Sequence, residues 1–184
     1  MSHLHNRNRM NRKGFSLTEL LMVIVIMGIL LSLGVIAYNT MMDRANAERQ
    51  MTEMFTDLMN ARVRAMQRNR THFVVFTASQ YTIYEDTSPA PDGDGSLTIG
   101  ADTMFQQKNL ISKFPVTTLP NANQWIAASP LQFNGRGIVP TDVVAGIPGV
   151  VRISLATSGG TDCLVVSEIK ITLGKWNGAT CVGK

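Results

Sequence analysis

The nineteen residues from Leu20 to Tyr38, LLMVIVIMGILLSLGVIAY, contain no charge. At about 1.5 Å of helical rise per residue they cross most of a hydrocarbon core about 30 Å thick. A segment this long and apolar is a membrane helix or the core of an export signal. Arg7, Arg9, Arg12 and Lys13 precede it with no acid among them, so the positive-inside rule leaves them in the cytoplasm and exports everything after Tyr38. The same four cations account for the net charge of +4, because without them the remaining cations equal the 13 acidic residues. Basicity therefore belongs to the amino terminus and does not describe a nucleic-acid surface spread over the chain. A conventional secretory signal cut at Val35-Ile36-Ala37, leaving Tyr38 at the new terminus, is the competing reading. The length of the run and the helical pattern that continues past it argue against that cut.

Of the 3 histidines, His3 and His5 lie in the leader, which leaves His72 as the one imidazole in the exported part. Zinc sites and His-dependent triads are nearly excluded on that count. No phosphate-binding glycine loop, GxSxG or HExxH occurs, so the chain reads as a non-enzyme without cofactor or metal. His72 opens a strand pattern and is expected to be half-exposed there.

After Asn39 the apolar residues Met51, Met54, Phe55, Leu58, Ala61, Ala65 and Met66 recur at steps of three and four and mark one helical face. No Pro or Gly interrupts residues 35–70, so one helix is expected from about Ser16 to about Arg70, on the order of 80 Å long. The methionines read as core fillers against a sheet. Gly28 and Gly34 in the apolar half permit close helix approach or local melting. Beyond Arg70 the period becomes alternating. Strands are expected at residues 72–77, 80–84, Leu110–Leu119, Leu131–Phe133, Val150–Ala156 and Cys163–Leu173, separated by Pro, Gly, Asp and Ser. The fold class is α+β: a long amino-terminal helix packed on an antiparallel sheet. Its divisions are a leader of residues 1–14, an apolar half-helix 15–38, an amphipathic half 39–70 and a β-rich domain 71–184.

Cys163 and Cys181 lie in the exported part, where a disulfide persists, and the bridge is preferred over two free thiols. It would tie the last strand to the Trp176-Asn177-Gly178 loop. The acidic stretch Asp92-Gly93-Asp94-Gly95, with Glu85, Asp86 and Asp102, offers oxygen ligands of the kind calcium takes, but it fails the EF-hand pattern at Leu97, and Asp-Gly turn chemistry accounts for it. Arg62, Arg64, Arg68 and Arg70 form a run without an acid. Near a helix end they complement the macrodipole; the alternative is a phosphate-contacting patch.

Glu19 is the anomaly, since a carboxylate opening an apolar helix costs several kcal/mol in lipid unless neutralised or paired. A place at the headgroups near Lys13 would be one resolution. The residues around it supply another: Arg12-Lys13-Gly14-Phe15-Ser16-Leu17-Thr18-Glu19 resembles the class III signal of type IV pilins and pseudopilins. The resemblance implies that a prepilin peptidase cuts after Gly14 on the cytoplasmic side and that the new amine on Phe15 is methylated. It also implies that Glu19, fifth from the new terminus, meets the amine of a neighbouring subunit. The stretch from Ala61 to Asn69, with Leu131-Gln132-Phe133-Asn134-Gly135-Arg136-Gly137, is similar to the GspH/FimT family of minor pilins and pseudopilins. That similarity implies a structural subunit of a type IV pilus or type II secretion pseudopilus. The implied partners are other pilins, membrane lipid before assembly, and an inner-membrane platform with a cytoplasmic ATPase. The implied location is the bacterial inner membrane, amino terminus cytoplasmic and β domain periplasmic, and then the filament. Lipid-to-bundle transfer keeps apolar surface buried throughout, so an external motor is implied. Some pilus members of the family resemble DNA receptors with a basic Gly-Arg-x-Arg near the last strand. The corresponding stretch here, Val166 to Lys175, has a glutamate and no arginine pair. Lys170, Lys175, Trp176 and Lys184 remain as a basic, aromatic alternative for DNA. A membrane-anchored protein that never polymerises is a third reading, and it requires Gly14 to stay uncut.

Overall fold

Helix formation begins where the capping chemistry allows it. Ser16 accepts at its carbonyl the N–H groups of Glu19 and Leu20, each at 3.1 Å, and helix α1 spans Leu17–Arg68. It ends on a left-handed residue, Asn69 (φ 49°), and the Arg70 N–H reaches back to the Ala65 carbonyl at 3.2 Å. That is the geometry of a Schellman stop, with asparagine in the place usually taken by glycine. The computed structural model describes residues 14–119, 125, 129–140, 149–153 and 160–183. The leader up to Lys13, residues 154–156 of the expected strand Val150–Ala156, and Lys184 lie outside them. The chain divides into two compact units, Met1–Met41 and Met42–Lys184.

In the first unit, the described helix residues from Leu17 to Tyr38 whose side chains are described are exposed along the whole apolar run. Helix α1 is long and apolar enough to cross a membrane.

In the second unit the described strands form two antiparallel sheets where the sequence suggested one. The first contains β1 (His72–Phe76), β2 (Gln80–Glu85), β3 (Thr103–Asn109) and β5 (Leu131–Phe133) in the order β3-β2-β1-β5. The second contains β4 (Val116–Leu119), β6 (Gly149–Ile153), β7 (Cys163–Val166), β8 (Ile171–Trp176) and β9 (Cys181–Gly183) in the order β4-β6-β7-β8-β9. Apolar side chains of both sheets meet the helix in one core. Ala47, Met51, Met54, Leu58, Ala61 and Ala65 are fully buried against Val74, Ile83, Leu131 and Phe133 of one sheet and Val151, Ile153 and Leu164 of the other. The expected helical face therefore holds, except that Met66 remains 44% exposed, while Phe55 packs at the rim.

Two strand expectations change, and β3 is a strand that was not expected. The expected strand Leu110–Leu119 is a strand only from Val116. The expected strand Cys163–Leu173 is a hairpin, β7 and β8, turning at Ser167–Lys170, where the Ser167 N–H donates to the Lys170 carbonyl at 2.8 Å. Strand β3, TMFQQKN, had no apolar alternation to reveal it. It is an edge strand with a bulge, since Ile83 faces Gln106 and Tyr84 faces Met104, leaving Phe105 over.

The Asn134-Gly135-Arg136-Gly137 turn packs on the helix end. Asn134 Oδ1 accepts the N–H groups of Arg136 and Ile138 at 3.0 Å each, and a Cβ on Gly135 would lie 2.5 Å from Asn69 Oδ1. Close approach, and not chemistry, explains this motif.

Candidate functional site

The amino-terminal segment is built from local order alone. Gly14 and Phe15 precede the helix and both are exposed. Ser16 and Thr18 share a hydroxyl–hydroxyl bond of 2.8 Å. Glu19 sits in the first turn, where the helix dipole favours a carboxylate, and it makes no ion pair among the described residues.

The four arginines do not form an anion surface, because the domain uses each one. The Arg62 guanidinium donates from Nη1 to the Ile169 carbonyl at 2.7 Å, clipping the helix to the β7–β8 turn. That of Arg64 lies 3.8 Å above the Phe105 ring, on the other sheet. Arg68 and Arg70 converge on the buried carboxylate of Glu85, at 3.1 and 3.6 Å. Arg70 also donates to the Pro91 carbonyl. Helix geometry sends Arg62 and Arg64, two apart, to different flanks, while Arg70 lies past the helix end at Arg68 and turns with it on to Glu85. The helix-end reading was incomplete as well, since it is Glu85 that receives the last two.

His72, expected to be half-exposed, is fully buried. Strand parity puts it on the core side with Val74 and Phe76. Nδ1 lies 3.2 Å from the Arg70 carbonyl, Nε2 has no partner, and burial holds the imidazole below its ordinary pKa.

The acidic loop is tied by its own carboxylates. Asp86 accepts from the N–H groups of Asp94 (3.3 Å) and Gly95 (2.7 Å), and burial pushes its pKa up. Asp102 accepts from Thr87 and Ser88 at 3.0 Å and Thr98 at 2.7 Å. Among the described residues no group of three or more His, Cys, Asp and Glu side chains is placed to hold a metal ion.

The basic, aromatic set at the carboxyl end is also divided. Lys170 lies in the turn before β8, and Lys175 and Trp176, adjacent in β8, face opposite sides. Trp176 takes another cation: the Arg152 guanidinium stacks 4.5 Å from its ring centre. Cys163 and Cys181 are bridged, with Cα atoms 6.0 Å apart, so the bond joins β7 to β9 across β8. It passes over Gly174, where a Cβ would stand 2.7 Å from Cys181 Sγ.

One polar group that sequence reading did not single out is Asp57, enclosed between helix and first sheet. It accepts from Tyr81 Oη at 2.5 Å, Gln106 Nε2 at 3.0 Å and Lys108 Nζ at 3.4 Å. Burial, then the Asp57 bond, holds the Tyr81 phenol far above its usual pKa. Burial works against the charge on Lys108, yet Asp57 and Glu53 hold its pKa above normal. A lone acid within an apolar helical face was the available signal. Beside the network, a cleft of about 270 Å³ is lined by Arg49, Glu53, Tyr81 and Lys108, and its charged walls are paired with one another.

Residues 9–35 match the family described as the prokaryotic N-terminal methylation motif. No curated protein sequence matches the chain. Among solved structures, the fold is similar to a crystal structure of the minor pseudopilin EpsH from the type II secretion system of Vibrio cholerae. The TM-score is 0.51 and the identity 10%, covering 71% of this chain and 96% of that one. A second structure of the same pseudopilin gives a TM-score of 0.50 at 10% identity, covering 73% and 99%. Residues 9–35 thus carry the methylation motif at the head of an apolar helix, and the α+β fold that follows is similar to that of a minor pseudopilin.

Proposed function

We propose that the chain is a minor structural subunit, of the GspH/FimT kind, in a type IV pilus or a type II secretion pseudopilus. The observation that carries the reading is the methylation motif over residues 9–35, lying on a helix whose apolar run is exposed to its surroundings. An apolar surface that long has to be covered, by lipid or by other helices, in every state the protein occupies. In this proposal the helix is anchored in the inner membrane, with the leader cytoplasmic and the β domain periplasmic. A prepilin peptidase cuts after Gly14, and Phe15 becomes a methylated amino terminus. Glu19 then pairs with the amine of a neighbouring subunit as the helix moves from lipid into a filament core. Apolar surface stays buried through that exchange, so the energy comes from an ATPase on the membrane platform. The β domain has no catalytic part in the process.

The DNA-binding alternative finds no specific support in the geometry. Its arginines are spent on intramolecular contacts, and Lys175 and Trp176 face opposite sides of β8.

Intact-mass and amino-terminal peptide analysis of the protein from its host membranes tests the reading. A chain beginning at methylated Phe15 is the expected result. One beginning at Tyr38 would make it a conventional secreted protein, and an uncut chain would make it a simple anchor.

A further inference from the structure

We propose that Arg44, Met42 and the β3–β4 turn at Ile111 and Lys113 form a seat for the phosphate headgroups of an anionic lipid bilayer. The inference rests on the membrane anchoring proposed above and adds a second point of contact, on the β domain itself.

Chain spacing fixes the level of this seat. Five residues of helix α1 lead from Tyr38, the last of the charge-free run, to Asp43, about 7.5 Å of rise. Between a hydrocarbon core of about 30 Å and a bilayer of about 40–45 Å lie about 5–7.5 Å of headgroup on each side. A helix that leaves the hydrocarbon at Tyr38 therefore carries Asp43 and Arg44 to the phosphates, and whatever Asp43 binds is carried there with it.

Asp43 binds the β3–β4 turn. The Phe114 N–H donates to the Ile111 carbonyl at 2.8 Å, which leaves Ser112 and Lys113 at the tip. Gln50, buried in the helix, clamps both ends: Oε1 accepts the Ile111 N–H at 2.9 Å and Nε2 donates to the Phe114 carbonyl at 3.1 Å. Lys113 Nζ then reaches Asp43 Oδ2 at 2.6 Å. The tip is thus held against the helix before any ligand arrives, which lowers the ordering cost of binding.

These groups are open to solvent. The Lys113 side chain is 64% exposed and spends one of three ammonium donors on Asp43. Arg44 is exposed and makes no hydrogen bond or ion pair among the described residues. Met42 and Ile111 are exposed apolar side chains beside them. The next acids along the helix are engaged, Glu48 by the Thr161 N–H at 3.0 Å and Glu53 by Arg49 and Lys108.

Cationic donors next to exposed apolar side chains match a lipid surface, where phosphates lie beside acyl chains. Nucleic acid offers phosphate without the apolar layer and rewards cations repeated along a surface; two cations do not make such a track. Two cations would hold a free protein only weakly, but on an anchored chain the contact is intramolecular and the effective lipid concentration is high.

The experiment is acetylation footprinting of the full-length protein, one chain per nanodisc, read lysine by lysine by mass spectrometry. Discs of phosphatidylglycerol are compared with discs of phosphatidylcholine. The reference is Lys170, exposed next to Ile169, whose carbonyl is held by Arg62 far along the helix. Lys108, paired with Glu53 and Asp57, reports that the fold is intact. Relative to Lys170, Lys113 should label about fivefold more slowly in phosphatidylglycerol than in phosphatidylcholine, and Arg44→Gln should reduce that ratio to about twofold with Lys108 unmoved. Equal labelling of Lys113 in the two discs, or an unchanged ratio in Arg44→Gln, overturns the proposal. Slowing of Lys170 as large as that of Lys113 also overturns it, by making the effect one of bilayer charge on the whole domain. A chain that does not co-purify with the discs sinks the anchoring reading and this inference together; one that co-purifies and labels equally sinks this inference alone.

Discussion

Asp57→Ala removes a carboxylate enclosed between the helix and the first sheet, and its cost follows from its three partners. The Tyr81 hydroxyl, on a side chain that is 1% exposed, loses a charge-assisted bond of 2.5 Å, worth about 1.5–3 kcal/mol. Gln106 loses a bond of 3.0 Å, worth about 1 kcal/mol. Lys108 keeps Glu53 at 3.3 Å and is 38% exposed, so its share stays below about 1 kcal/mol. The sum is about 3–4 kcal/mol, or roughly 8–14 °C in Tm for a unit of this size. Tyr81→Phe alone should cost about 1.5 kcal/mol, since Asp57 retains Gln106 and Lys108. The double variant should cost less than the two singles together, with a coupling of about 1.5 kcal/mol. Near-ultraviolet circular dichroism melts of the full chain in detergent measure all three. A fall of less than about 3 °C for Asp57→Ala, or strict additivity, would show that this carboxylate is solvated in the native state and refute the reasoning.

The same network sets an alkaline limit. Burial and Asp57 raise the folded-state pKa of Tyr81, so the native protein keeps a proton that the unfolded chain loses near pH 10. The stabilisation is whole below that pH and falls as pH rises, by up to about 1.4 kcal/mol per pH unit; Tyr81→Phe should flatten this part of a Tm–pH curve. Gly174→Ala would put a Cβ 2.5 Å from the Val182 carbonyl oxygen and 2.7 Å from Cys181 Sγ; free thiols should appear on alkylation, with about 1–3 kcal/mol lost. Replacing both cysteines by serine opens a bridge spanning 18 residues and should cost about 3 kcal/mol, absent from melts already run under reducing conditions. Glu85→Gln leaves Arg68 and Arg70 without their carboxylate and should cost about 1–2 kcal/mol after screening of the exposed arginines, seen as a lower Tm. Glu19→Ala should leave cleavage intact by mass yet remove the chain from sheared filaments; normal incorporation would contradict its proposed pairing.

Sequence reading succeeded where the determinants are local. The apolar run from Leu20 to Tyr38, the helical face from Met51 to Ala65 and the residues around Gly14 are each legible within a few turns of chain. The bond between Cys163 and Cys181 was expected from two cysteines in a segment that the charge pattern assigns to the far side of a membrane. Reading was poorest at β3 and β9, whose polar or very short sequences become strands only because a partner edge is present. His72 shows the same limit, since its place on the core side comes from pairing with Phe133 and Glu85.

Charge was the property least legible in one dimension. Arg62, Arg64, Arg68 and Arg70 look like one patch in the sequence, and Lys170, Lys175 and Trp176 like another. Folding sends the first set to the two sheets and to Glu85, splits the second across a strand, and gives Trp176 the unforeseen Arg152. By itself the sequence determined the membrane-length helix, its signal and its buried face, because helical periodicity and backbone capping depend on neighbours three to five residues away. Only the tertiary structure decided the two sheets, the burial of His72 and Asp57, and the partners of Arg62, Arg64, Arg68 and Arg70, because strand pairing and electrostatics act between residues that the chain itself keeps far apart.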